Sequence, residues 1–219
     1  MPGRASLPDM RLALALAAVV VAPAATPDVS HLILQPTQVG KGYVAQKQAG
    51  GNLVKGQVTL NLCGTGYPSE RFRTTRLQVN FVNRNVPIAI SNEVVTYRSG
   101  AAVQAMREVT RRAVTCPHRP VDTGGKGLPK LTFQITRFAA PHLLKGYLAV
   151  RVIVTGKIKG KQINQTSYGV YQRYGNVLSG VYSVGGATPE QLQLLLHAAE
   201  QSARNLRRGG NGASSGPTA

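Results

Sequence analysis

The chain has 219 residues, 26 Lys and Arg against 8 Asp and Glu, a formal charge of +18 and a pI near 10.7. Carboxylates are in thin supply for acid–base chemistry, and no segment beyond the first thirty residues is long or apolar enough to span a membrane. Inside a cell such charge reads as nucleic-acid binding, so the compartment decides what the charge meets.

The N-terminus answers that question. Arg4 and Arg11 precede an apolar run from Leu12 to Val21, and Ala22-Pro23-Ala24 follows with small side chains where a signal peptidase acts. This order predicts a signal peptide over residues 1–25, with Met10 a second candidate start, and an exported product. The run is too short for a bilayer span, which needs about 20 apolar residues, so no transmembrane span is expected after cleavage. For an exported chain the available polyanions are wall polymers, acidic polysaccharide and anionic lipid head groups; nucleic acid is not an expected partner. Cys63 and Cys116 are the two cysteines, and an even count in an exported protein predicts a disulfide between them.

The remaining residues, 26–208, read as one α+β domain: a central antiparallel β-sheet with two main covering helices and one disulfide. A lead-in turn or short helix is expected around His31–Leu34 and Thr37–Val39, and a short strand over Val58–Cys63. Tyr67-Pro68-Ser69-Glu70 reads as a loop or one helical turn capped by Ser69. Leu77, Val79 and Phe81 alternate with Gln78 and Asn80, the period of a half-buried strand over 76–82. Asn83–Pro87 turns the chain into a second strand, Ile88–Tyr97, through a loop expected to exceed two residues.

Ser99-Gly100 opens a helix to about Thr115, with Ala102, Met106, Val109 and Ala113 on one face and Arg107, Glu108, Arg111 and Arg112 elsewhere. A Cys63–Cys116 bond then pins this helix to the sheet. Val121–Lys130 is a Gly- and Pro-rich loop. Strands at 131–138, 145–158, 162–174 and 177–184, joined by turns such as Lys159-Gly160-Lys161, predict an antiparallel meander. In the second of these, Leu148, Val150, Val152, Val154 and Ile158 alternate with Arg151, Thr155 and Lys157, which predicts a sheet with one buried face. Thr188-Pro189-Glu190-Gln191 is a helix cap, and Leu192, Leu195, Leu196, Ala199, Ala203 and Leu206 keep helical spacing behind it. Residues 209–219 lack sizeable apolar side chains and read as a disordered tail.

Catalytic patterns are missing. Gly212-Ala-Ser214-Ser-Gly216 spells a nucleophile elbow, but it has neither the strand before it nor the helix after it that the motif requires. His31, His118, His142 and His197 lack metal-ligand spacing, so no catalytic residue, metal site or cofactor is indicated. Gly64-Thr-Gly66 and Gly124-Gly-Lys126-Gly127 are turns rather than phosphate cradles. Tyr168, Tyr171 and Tyr174, near Arg173, read as sheet packing rather than a stacking platform. Asn164-Gln165-Thr166 spells a glycosylation acceptor relevant only to a eukaryotic route. Glu93 stands apart: it lies mid-strand on the side of Ser91, Val95 and Tyr97, within expected reach of Arg71, Arg73 and Arg76, and an ion pair fixing the hairpin is its ordinary reading.

The run Leu62-Cys63-Gly64-Thr65-Gly66-Tyr67-Pro68-Ser69-Glu70-Arg71, then Arg76-Leu77-Gln78-Val79, then Ser91-Asn92-Glu93-Val94-Val95-Thr96-Tyr97, and a helix ending in Thr115-Cys116-Pro117 resemble exported actinobacterial proteins. These are related to the PknH-like extracellular sensor domain, the outer module of some bacterial serine/threonine kinases. The resemblance covers residues 31–206. It implies an α+β fold on an antiparallel sheet, disulfide support and a cleft for an unidentified ligand, and it carries over no catalytic residues. Within these 219 residues no kinase domain is expected, and one cysteine pair stands where those domains can carry two.

Two functional readings follow. The first is a non-enzymatic ligand-binding or sensor-like module for an unknown small ligand, with Arg71, Arg73, Arg76, Glu93 and Tyr97 as the ligand-binding candidates. The second is a basic cell-wall-associated protein held to envelope polyanions through Arg151, Lys157, Lys159 and Lys161, a contact that weakens with salt.

Overall fold

A computed structural model describes residues 28–54, 62–64, 66–98, 100–121, 129–184 and 188–210. The expected leader, residues 58–61 of the first expected strand, residues 122–128 of the Gly-rich loop and the elbow-like motif at 212–216 lie outside the described residues. Among the described residues the strands are β1 (Val44–Lys47), β2 (Arg73–Asn83), β3 (Val86–Tyr97), β4 (Leu131–Arg137), β5 (Leu148–Ile158), β6 (Lys161–Tyr174) and β7 (Val177–Val184). They form one antiparallel sheet in the order β1-β2-β3-β7-β6-β5-β4. The helices are α1 (Pro36–Val39), α2 (Ala101–Thr115) and α3 (Pro189–Gly210).

The alternating strands of β4 to β7 make the meander that their short turns require, because antiparallel neighbours need only a tight reversal. After β3, α2 carries the chain to the far edge at β4, and the meander walks back until β7 pairs with β3. The β5–β6 reversal places Lys159 and Gly160 both at positive φ, 49° and 77°, as a two-residue hairpin turn matched to strand twist demands.

The sheet is buried on both faces, which corrects the one-faced expectation. Phe81, Ile90, Val94, Ala149, Val170 and Val181 pack with Leu195, Ala199, Ala203 and Leu206 of α3. On the other face Val95, Leu148, Val150, Tyr171 and Leu178 pack with Ala102, Ala105, Met106 and Val109 of α2. In β5, therefore, Leu148 and Ala149 are both buried although they point oppositely. Beyond Arg151 the strand outruns the helices, so Val152 and Val154 are half-buried and Ile158 is 40% exposed. Alternation in that half of the strand reflects the projecting end of a hairpin rather than a solvent-facing sheet.

Other expectations shift locally. Leu62–Gly64 form a 3₁₀ turn, not the end of a strand, with Cys63 in a left-handed conformation at φ 62°. The Cys63–Cys116 disulfide, with Cα atoms 6.1 Å apart, ties the end of α2 to this turn rather than to the sheet. Pro68–Phe72 form another 3₁₀ turn, where Glu70 Oε1 accepts from the Tyr67 backbone N–H at 2.9 Å. Ser69 lies inside it, buried, instead of capping it. The β2–β3 reversal has only Arg84–Asn85 between its strands, and Pro87 falls inside β3 at a register irregularity between Phe81 and Asn83. There its missing N–H costs no ladder bond.

β5 begins at Leu148, three residues later than expected. α2 begins at Ala101 after Gly100, which sits at φ 78° as the cap. β1 carries no burial periodicity, since none of Val44–Lys47 is buried, and the strand exists only by pairing with β2. Thr188 caps α3 as its sequence pattern indicates, its Oγ1 accepting from Gln191 N at 3.3 Å. Gly209 and Gly210 are helical, not tail: a Cβ on Gly209 would overlap Leu32 and crowd His31, so glycine lets the last turn of α3 close onto the N-terminal segment.

Candidate functional site

Residues directly opposite in an antiparallel pair share a face. Arg76 lies opposite Val95, and Gln78 opposite Glu93, so all four side chains enter the layer between the sheet and α2. A register shift between Arg73 and Thr75 sets Arg73 opposite Tyr97 and turns it onto that same face. Four of the five sequence-derived candidates, Arg73, Arg76, Glu93 and Tyr97, are thereby brought together, each at most 6% exposed. The fifth, Arg71, is exposed and lies 4.6 Å over the Phe72 ring instead of reaching Glu93.

Glu93 is fully buried. Its carboxylate accepts from Arg76 Nε at 2.5 Å and from the Tyr182 hydroxyl at 3.2 Å. Arg76 donates onward to the carbonyl oxygen of Gly50 at 2.9 Å and to Gln78 Oε1, and Gln78 Nε2 donates to Ser91 Oγ at 2.9 Å. Arg73 Nε donates to the Tyr97 hydroxyl at 3.4 Å, and its Nη2 lies 3.7 Å from Glu70 Oε1. Gly180 stands opposite Glu93 on β7, and a Cβ there would overlap the Tyr182 hydroxyl. Glycine at that position is what allows the tyrosine to reach the carboxylate.

Burial pushes the Glu93 carboxyl above the ordinary carboxylate range, against the opposing pull of Arg76, Arg73 and the Tyr182 hydroxyl. Burial, and then the charge of Glu93, holds Tyr182 well above the usual phenol range, so it stays a protonated donor. Tyr97 is raised by burial with Arg73 pulling it back. The cluster is a closed ion pair with a tyrosine brace. Among the described residues no three His, Cys, Asp or Glu are grouped to hold a metal.

The open site lies on the exposed flank of the same helix. Val103, Met106, Arg107, Thr110, Arg111 and Val114 recur at helical spacing and form one stripe along α2. Because β4, β5 and β6 alternate in direction, the end of β4 at Arg137, the turn entering β5 at Lys145-Gly146 and the end of β6 at Arg173 all arrive at one end of the sheet. The stripe and these three points enclose a groove of about 470 Å³. Arg107, Arg111, Arg137, Lys145 and Arg173 line it with no carboxylate among the lining residues, and none forms an ion pair with a described residue. Arg107, Arg111, Arg137 and Lys145 are exposed, while Arg173 is half-buried and donates to Gly175 O at 2.9 Å. A second depression of about 490 Å³, on the α3 side, is lined by His142, Leu143, Glu200, Arg204 and Arg207.

The extracellular domain of PknH from Mycobacterium tuberculosis superimposes on this chain with a TM-score of 0.50 at 13% identity, covering 80% of this chain and 94% of that one. The fold is PknH-like. An uncharacterised Mycobacterium smegmatis protein, the Rv0999 ortholog, is also similar, with a TM-score of 0.47 at 10% identity over 84% of this chain and 98% of its own. No family model matches the chain, and no curated protein matches it.

Within the PknH-like sheet the three tyrosines of β6 divide between faces: Tyr171 packs under α2, Tyr168 and Tyr174 against the α3-side core. They form no common platform. Of the groove cations, Arg107 and Arg111 were legible off the apolar face of the helix, but Arg137, Lys145 and Arg173 carry no local signal. Their convergence depends on strand order.

Proposed function

We propose that this chain is an exported, extracytoplasmic binding domain of the sensor type, with no catalysis of its own, and that its ligand is an anion taken at the groove beside α2. The observation that carries this reading is the gathering of Arg107, Arg111, Arg137, Lys145 and Arg173 around one concavity without a carboxylate. Charge that serves only solubility is dispersed, whereas like charges collected around a hollow repel one another until an anion arrives. The disulfide supports an oxidising compartment, as does the likeness to a domain described as extracellular. In this reading the buried set of Arg73, Arg76, Glu93 and Tyr97 stands apart from the groove lining and acts as a brace within β2, β3 and β7, while Arg71 lies outside it over Phe72.

A second reading has its own observation. Arg151, Lys157, Lys159 and Lys161 are all exposed on the projecting β5–β6 hairpin, which suits electrostatic attachment to envelope polyanions. Capture of cell-envelope components by the purified protein at low and high salt separates the two. A discrete ligand retained at high salt and lost in Arg107→Gln/Arg111→Gln supports the groove. Salt-sensitive capture of bulk polymer, abolished by Lys157→Gln/Lys159→Gln/Lys161→Gln, supports the hairpin and refutes the groove.

A further inference from the structure

The groove beside α2 is not lined by charge alone. Its cations alternate along the helix with Val103, Met106 and Val114, and Val114 is 65% exposed. Thr110, the one hydroxyl on the stripe, already donates to Met106 O at 2.7 Å, so the floor offers a ligand no other hydroxyl donor. An inorganic anion needs no apolar floor. An extended polyanion is bound by a basic track, with aromatic faces where bases must stack, and the groove-lining residues include no aromatic side chain. Met106, 8% exposed, is mostly engaged in the core under α2 and closes the floor with its edge, while half-buried Val103 and exposed Val114 supply the accessible apolar surface. The volume of about 470 Å³ lies within the range of small-molecule sites, roughly 300–1,000 Å³.

We propose that the groove binds a single anionic amphiphile, with a phosphate head group held by Arg107, Arg111, Arg137, Lys145 and Arg173 and a hydrocarbon chain laid along Val103, Met106 and Val114. This rests on the anion-binding reading above and specifies its ligand class. Arginine suits the head group because its fork of donors matches phosphate oxygens in pairs. The chain contributes roughly fourfold in affinity for each methylene it buries, so affinity must climb with chain length.

The test is calorimetric titration of the purified protein with dodecyl phosphate below its micelle concentration, butyl phosphate, inorganic phosphate and dodecyl maltoside, alongside co-sedimentation with phosphatidylglycerol vesicles. Dodecyl phosphate is expected to bind one to one, at least tenfold tighter than butyl phosphate, with no binding of the uncharged detergent. Arg107→Gln/Arg111→Gln is expected to weaken it at least tenfold. Val114→Asn is expected to reduce the chain-length advantage severalfold. All these side chains are exposed, so unchanged melting temperatures verify that the variants fold. Equal affinity for dodecyl and butyl phosphate, still dependent on the two arginines, overturns the amphiphile and leaves the anion site standing. Binding indifferent to the arginine substitutions overturns both, and binding to vesicles without saturable binding of free dodecyl phosphate overturns the single-molecule site.

Discussion

Replacing Arg76 by Met isolates the energetic role of the buried pair. Arg76 is 5% and Glu93 0% exposed, and the substitution strands a carboxylate with no counter-ion in direct contact. Removing one partner of a buried pair costs about 3–5 kcal/mol. The Tyr182 hydroxyl still donates to Glu93, and Gly50 O and Leu53 O lie in exposed segments where water replaces the guanidinium, so the expected loss is near the lower bound, about 3 kcal/mol at pH 7.5. For a domain of this size that is a fall of roughly 6–12 °C in Tm.

The loss must also depend on pH. Burial already raises Glu93, and losing Arg76 removes the largest opposing influence. A carboxyl whose folded pKa lies above its unfolded value contributes stability that is complete below the unfolded pKa, about 4.3 for Glu, and is lost as pH rises through the folded one. The deficit of Arg76→Met therefore shrinks on going from pH 7.5 to 4.5. Urea denaturation at both pH values measures it, and Arg76→Met/Glu93→Leu, which leaves neither charge, is expected to recover most of the loss. A deficit below about 1 kcal/mol at pH 7.5, the bottom of the unpaired-group range, or one equal at the two pH values, refutes the account of Glu93 as a buried charge held by Arg76.

Three further outcomes follow from the packing. Gly180→Ala displaces the Tyr182 hydroxyl from Glu93 and is expected to cost about 2–3 kcal/mol through overpacking; denaturant titration reads it, and a Tyr182→Phe background should absorb part of that cost. Cys63→Ser/Cys116→Ser opens a loop spanning 53 residues, for an expected loss of about 4 kcal/mol in the chain-entropy relation, measured by thermal melting of the variant against the wild-type protein. Gly209→Ala forces the end of α3 away from Leu32 and His31; hydrogen exchange is expected to rise at Leu32 and Ile33 while the β6 and β7 amides stay protected.

The periodicity of single elements was enough to read β2, α2, the four-strand meander and α3, because each buries a face at its own repeat. Ala102, Met106, Val109 and Ala113 recur at helical spacing whatever they pack against. The Thr188 cap is equally local, since donor and acceptor lie within one turn. Strand order is not local. That β7 lies between β3 and β6 follows from no repeat in either strand, and it alone brings Gly180 and Tyr182 to Glu93. The same order decides that both faces of the sheet are covered, which alternation in the projecting half of β5 conceals.

Position in sequence put Arg71, Arg73 and Arg76 alike within reach of Glu93, since a hairpin fixes register within a few residues; that Arg76 is the partner is decided by the fold. The bulge at Thr74 that turns Arg73 inward, and the outward stacking of Arg71 on Phe72, leave no mark in composition. For the groove the division is sharper still. The chain specifies an excess of cations, but whether charge is scattered or gathered is set by tertiary structure, because Arg107 and Arg173 become neighbours only once α2 lies across the ends of β4 and β6.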